Sequence, residues 1–264
     1  MRTNTTGEHD VNRQDEQAAS KIAQVTLAFW VMKIAATTLG ETAGDLLSMT
    51  LKIGYGASTL LLLGAFLVTL AIQMTARRFH PAIYWLVILS TSTAGTTLSD
   101  YMDRTLGLGY AAGATILVTT LVAVLATWRL TLGSISVDTV RGPRAEGFYW
   151  AAILVSNTLG TALGDFLADS SGLGFLGGAA LIASSIAVIA LAYRFTTLSR
   201  TMLFWAAFVL TRPLGATVGD LLTKGHEKGG LGFGTIGSSI VLAAILVGTI
   251  AVAYRRRPSE PATA

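Results

Sequence analysis

Leu39-Gly40-Glu41-Thr42-Ala43-Gly44-Asp45-Leu46 returns three times in altered form along this chain. The returns are Ala94-Gly95-Thr96-Thr97-Leu98-Ser99-Asp100-Tyr101, Leu159-Gly160-Thr161-Ala162-Leu163-Gly164-Asp165-Phe166 and Leu214-Gly215-Ala216-Thr217-Val218-Gly219-Asp220-Leu221. Fifteen residues before each Asp stands a tryptophan: Trp30, Trp85, Trp150 and Trp205. After each copy comes a glycine beside a tyrosine or phenylalanine: Gly54-Tyr55, Gly109-Tyr110, Gly174-Phe175 and Gly232-Phe233. Four copies in one register are an internal repeat. Each copy reads as a helix, a glycine turn and a second, plainer apolar helix.

Composition says where such helices live. The 264 residues are 52% hydrophobic and 13% charged, about half the charge of an average soluble domain. Apolar runs such as 57–76 approach the roughly 20 residues that cross a bilayer. The fold class is therefore all-α: a polytopic membrane protein with eight transmembrane helices, built as four tandem parallel αα-hairpin repeats. The helices are expected near 22–49, 56–77, 82–104, 110–129, 147–169, 175–195, 201–224 and 234–255. The repeats then cover about 22–77, 82–129, 147–195 and 201–255 of a membrane domain at 21–255.

The tails and the charge set the orientation. Residues 1–20 carry both signs without the short apolar core of a signal peptide and read as a disordered cytoplasmic tail; 256–264 read as a basic to polar C-terminal tail. The terminal tails and the segments joining repeats hold 13 of the 19 Lys and Arg. Both termini are thus expected in the cytoplasm of a bacterial inner (plasma) membrane. The net charge of +4 follows from that bias and calls for no nucleic acid. Without cysteine there is no disulfide or thiolate chemistry, and three scattered His make no cluster. No cofactor, catalytic constellation or enzyme activity is expected. The oligomeric state is not readable.

One face of each first helix is polar. At about 100° per residue, the positions eight and four before each Asp lie beside it. They read Thr37-Glu41-Asp45, Ser92-Thr96-Asp100, Asn157-Thr161-Asp165 and Arg212-Ala216-Asp220. Next to this stripe run Gly40 and Gly44, Gly95 and Ser99, Gly160 and Gly164, and Gly215 and Gly219, a small-residue pattern that lets membrane helices approach closely. The pattern predicts four first helices packed through glycine around a shared interior, with the second helices outside against lipid.

Fifteen residues from an interfacial Trp rise about 22 Å, so each Asp falls in the outer third of the membrane core. Five acids (Glu41, Asp45, Asp100, Asp165, Asp220) face two bases within the spans, Lys33 and Arg212. Hard oxygen ligands from Asp45, Asp100, Asp165 and Asp220 suit divalent ions such as Mn²⁺, Ca²⁺ or Mg²⁺, and the surplus could also be relieved by protons. The function expected is cation transport through an interior lined by these carboxylates. The alternative is a non-transporting membrane module that binds a partner or lipid, its Asp residues serving as helix breaks. Arg212 is expected to be a buried partner for Glu41 or an Asp, and Lys33 to snorkel to the interface. Asp103, Asp169, Arg104 and Lys224 are expected as solvated charges at the outer ends, and the four Trp as interface anchors.

The repeated Trp, Gly-x-x-x-Gly-Asp and Gly-aromatic pattern resembles a family of bacterial multi-pass proteins described as uncharacterised membrane-anchored proteins. The likeness covers nearly the whole chain after residue 20 and implies membrane localisation. More weakly, Glu41 to Asp45 is similar to the Glu-x-Gly-Asp-Lys/Arg-Thr/Ser motif of Ca²⁺/Mn²⁺–proton exchangers. Here one more residue separates Glu41 from Gly44-Asp45, Leu46 replaces the base, and the other three copies lack the Glu. Those exchangers are built from inverted repeats, so the likeness implies related chemistry at Glu41 and Asp45 only.

Overall fold

The computed structural model describes residues 21–255, so the tails expected at 1–20 and 256–264 lie outside the described residues. Among those residues there are eight long helices and no strand. Four run from the tryptophan end toward the aspartates: α1 (Leu27–Asp45), α3 (Pro81–Asp100), α5 (Gly142–Asp165) and α7 (Arg200–Thr223). Four return: α2 (Tyr55–Thr75), α4 (Tyr110–Leu132), α6 (Gly174–Phe195) and α8 (Thr235–Arg255). Lengths of 19 to 24 residues correspond to roughly 28–36 Å, the thickness of a bilayer core.

The inner helices α1, α3, α5 and α7 form a closed ring in chain order, with α7 packing back on α1. Each returning helix lies on the inner helix of the following repeat: α2 on α3, α4 on α5, α6 on α7, and α8 on α1. No hairpin buries its own apolar face. Each needs its neighbour, which is the reason such repeats fold as an array.

Among the described residues six helices are long and apolar enough to cross a membrane; α1 and α3 are not among them. The reason is visible in their surroundings. α1 carries Lys33, Glu41 and Asp45, and α3 carries a Ser/Thr run, all of it buried against neighbouring helices. A helix enclosed by protein need not be apolar on every face. Since α1 and α3 hold the same places in the ring as α5 and α7, all eight helices span together.

Glycine permits the ring to close. A Cβ on Gly44 would lie 2.8 Å from Thr96 Cβ, one on Gly95 2.9 Å from the backbone nitrogen of Thr158, one on Gly164 2.9 Å from Ala216 Cβ, and one on Gly219 2.9 Å from Glu41 Cβ. Gly40 likewise abuts Ser92, Gly160 abuts Arg212, and Gly215 abuts Thr37. The small stripe of each inner helix therefore receives the polar stripe of the next.

Several helix ends differ from expectation. α1 begins at Leu27, not near 22, because residues before it cross beneath the bundle with Ile22 and Ala23 buried. There Lys21 Nζ pairs with Glu146 (2.9 Å) and donates to the Met74 carbonyl (2.9 Å). α5 begins five residues earlier than expected, at Gly142, with Pro143 in its first turn, where a proline fits without loss. Past Asp45, Asp100 and Asp165 the helix widens into one π turn, closed by bonds such as Leu51 N to Leu46 O (2.8 Å) and Leu106 N to Tyr101 O (2.9 Å). Gly54, Gly109 and Gly174, at positive φ, then turn the chain. In the fourth repeat α7 stays α-helical past Asp220 to Thr223, and a longer loop leads to Gly234.

The tryptophans correct a second expectation. Trp85, Trp150 and Trp205 are buried, 1%, 1% and 5% exposed, so they pack within the protein and do not anchor it to the interface. With Phe29, Tyr84, Tyr149 and Phe204 they form an aromatic floor across the ring, in which the Tyr84 and Tyr149 hydroxyls meet at 2.6 Å.

Replacing Gly95 by Leu is expected to block the α3–α5 approach, because the obstructing atom is backbone. A loss of stability of about 1–3 kcal/mol or more is expected, seen as a lower midpoint in heated size-exclusion profiles in detergent. Gly64→Leu, where no atom lies within 4 Å, is expected to leave the profile unchanged.

Candidate functional site

The polar stripes meet along the ring axis in successive layers. Nearest the aromatic floor is Lys33, fully buried, with Nζ 3.3 Å from Asn157 Oδ1 and 4.2 Å from the Phe208 ring centroid. It does not snorkel. Asn157 in turn donates to Thr91 Oγ1 (2.9 Å), and Thr37 Oγ1 donates to the Thr211 carbonyl of α7 (3.1 Å).

One layer out lies Arg212, with no exposed surface. Its Nη1 and Nη2 both donate to Glu41 Oε2 at 2.9 Å, and Nη2 also donates to Thr96 Oγ1 (2.5 Å) and Thr161 Oγ1 (2.7 Å). The Ser92 carbonyl completes the set at 3.4 Å. One guanidinium on α7 thus binds α1, α3 and α5. Among the described residues Ser92 Oγ and Arg212 Nε have no hydrogen-bond partner.

The four aspartates form the next layer, each at most 4% exposed. They divide into two pairs. Arg104 Nε lies 2.9 Å from Asp100 Oδ1 while its Nη2 lies 3.1 Å from Asp165 Oδ2. Lys224 Nζ lies 2.5 Å from Asp45 Oδ2 and 3.1 Å from Asp220 Oδ1. The expectation of solvated outer charges at Arg104 and Lys224 is therefore corrected: both fold back one helical turn onto their own Asp and reach a neighbouring helix. Their position four residues after Asp was the signal; Met49 and Asp169 stand there in the other two repeats. Burial opposes the charge on Lys224, but the Asp220 and Asp45 carboxylates outweigh it and raise its pKa above that of an ordinary lysine.

With Arg104 and Lys224 included, five carboxylates meet four bases, leaving one negative charge where the sequence suggested three. Glu41, Asp45 and Asp220 each bring an oxygen within 4.8 Å of the others. A pocket of about 450 Å³ opens from the aspartate end onto Asp45, Met49, Lys224 and Glu227. Asp45, Asp100 and Asp165 do not cap the π turns that follow them, since no side-chain capping bond is present. Ser99, standing where the other repeats have glycine, donates to Asp103 (3.4 Å), and Tyr110 donates to Asp169 (3.2 Å).

The fold and its buried polar axis define a multi-pass α-helical membrane protein made of four tandem repeats. The chain belongs to the DUF347 family, a repeat of unknown function, whose model matches residues 28–79, 83–133, 148–199 and 203–259. No curated protein and no solved structure matches the chain.

Breaking the central pair from one side strands a charge in a low-dielectric interior. Glu41→Gln or Arg212→Met alone is expected to cost about 3–5 kcal/mol, and the double change distinctly less than their sum. Unfolding midpoints in detergent for the four proteins of the cycle check this; strictly additive losses would contradict it.

Proposed function

We propose that this protein moves cations across the membrane, with Glu41, Asp45 and Asp220 as the exchange site and the Asp100–Asp165 pair as its counterpart across the ring. The observation that carries this reading is the convergence of five carboxylates from four helices, held by side-chain cations and not by each other. Three of their oxygens already stand close enough to share one ion. Oxygen donors without sulfur or imidazole suit hard divalent cations, Mn²⁺, Ca²⁺ or Mg²⁺.

In this reading Lys224 is a tethered cation that the cargo displaces. An ion entering the pocket at the aspartate end finds Asp45 and Lys224 in its wall. It replaces the ammonium between Asp45 and Asp220, and Glu41 becomes available as a third ligand when Arg212 swings away. The Arg212–Glu41 pair and the aromatic floor are then the two barriers to be opened beyond the site. Both termini in the cytoplasm of a bacterial plasma membrane would make the aspartate end the external one.

The pairing of every Asp with Arg104 or Lys224 favours a second reading, a non-transporting module whose charges tie helices together. Flux separates the two. Proteoliposomes carrying the wild type are expected to take up Mn²⁺, Ca²⁺ or Mg²⁺. Asp45→Asn and Asp220→Asn are expected to lower uptake by about tenfold or more, the order of a lost charged ligand, with normal insertion. Lys224→Met is expected to lower the ion concentration needed for half-maximal uptake. No flux of any of these ions by the wild type, or unaltered flux in both Asn variants, would favour the module instead.

A further inference from the structure

The polar axis holds one basic group that the exchange site does not use. Lys33 is fully buried, one layer nearer the floor than Arg212, and among the described residues no carboxylate pairs with it. Its Nζ meets only an amide oxygen, Asn157 Oδ1 at 3.3 Å, and the face of Phe208 at 4.2 Å. Asn157 is fixed in that orientation by its own bond to Thr91 Oγ1 (2.9 Å).

The helices around Lys33 bring few charges to it. α1 packs on α3, α7 and α8, and α5 reaches the amine through Asn157. Between Tyr84 and Asp100 α3 has no titratable side chain, between Tyr149 and Asp165 α5 has none, and α8 has none before Tyr254. The Tyr84 and Tyr149 hydroxyls bond each other in the floor, and that of Tyr254 accepts from Trp85 Nε1. There remain Arg212 of α7, a second cation, and Glu41, eight residues along α1 or roughly 12 Å away. Between the floor and the aspartates the inner helices carry this one carboxylate, and Arg212 already holds it at 2.9 Å.

Three positive charges therefore contend for Glu41: the Arg212 guanidinium, a proton on Lys33 and, on the cation-transport reading, the cargo. An enclosed charge without a counter-charge is costly, and a like charge beside it adds to the cost. We propose that Lys33 is a proton-binding site, and that a proton there and a metal cation at Glu41 exclude one another. While Arg212 holds Glu41, Lys33 is a free amine. It then drops out of the charge count, and the five carboxylates exceed Arg104, Arg212 and Lys224 by two, the charge of one divalent ion. When Arg212 swings away and no ion is at hand, the Nζ lone pair takes a proton from water admitted at the tryptophan end, and Glu41 balances the ammonium that forms. When an ion takes Glu41, the N–H bond breaks, its electron pair stays on nitrogen and the proton returns to water. Ion-loaded and proton-loaded forms alternate, so the protein exchanges a cation for a proton.

The exchange rests on the cation-transport reading, and two measurements on the full chain keep their failures apart. Reversible unfolding in mixed detergent micelles is to be followed from about pH 6 to about pH 9 for the wild type and Lys33→Met. A buried amine gains a proton on unfolding, so its contribution to stability is lost as pH falls. The folding constant of the wild type is expected to drop, relative to Lys33→Met, by up to about tenfold per pH unit. Equal pH slopes would overturn Lys33 as a proton site whether or not the protein transports. In proteoliposomes with the membrane potential clamped, a gradient of about one pH unit, acid inside, is expected to raise the final Mn²⁺ accumulation of the wild type about tenfold at one proton per ion. The accumulation that Lys33→Met retains is expected not to respond. Accumulation by the wild type that ignores the gradient, or an equal response in Lys33→Met, would overturn the exchange and leave cation transport standing. No accumulation of Mn²⁺, Ca²⁺ or Mg²⁺ by the wild type would overturn cation transport and the exchange with it.

Discussion

Everything inside this bundle is arranged around a guanidinium that cannot reach water. Arg212 has no exposed surface, and an unpaired charge at such a place is untenable. Its partners come from the three other inner helices: Glu41 from α1, Thr96 and the Ser92 carbonyl from α3, and Thr161 from α5. Satisfying that one side chain sets the rotation of all four inner helices about their axes. The glycine stripes make this possible, because the donors are short and the helices must come close for hydroxyls to meet the axis.

The backbone is close to fourfold, whereas the charges are not. Asp45, Asp100, Asp165 and Asp220 repeat in every unit, but the bases that hold them come only from the second and fourth repeats, as Arg104 and Lys224. Deeper in, Glu41, Arg212 and Lys33 are each present once. Repetition thus supplies a scaffold with four equal seats, and single substitutions make each seat electrostatically different. A ring of four identical Asp would repel itself in a medium of low dielectric constant; Arg104 and Lys224 each bridge two of them, which halves the negative charge of the ring.

The two ends of the bundle also differ in kind. Aromatic rings seal the tryptophan end, with Tyr84 and Tyr149 joined across the floor, while the aspartate end admits a pocket down to Asp45 and Lys224. These inequalities fall on a chain whose four repeats match one family model.

The amino-acid sequence alone determined the number of helices, their grouping into four parallel hairpins, the polar stripe and the glycine stripe beside it. These are local and periodic properties, and a period of about 3.6 residues makes them readable along one strand of text. Only the tertiary structure decided that each outer helix packs on the next repeat, that Arg104 and Lys224 turn inward onto the aspartates, and that the tryptophans form a floor and not an interface belt. Those outcomes depend on which residues of distant repeats become neighbours when the ring closes. Lys224 meets Asp45 and Arg212 meets Glu41 only because α7 returns to α1, a contact that no spacing within a single repeat encodes.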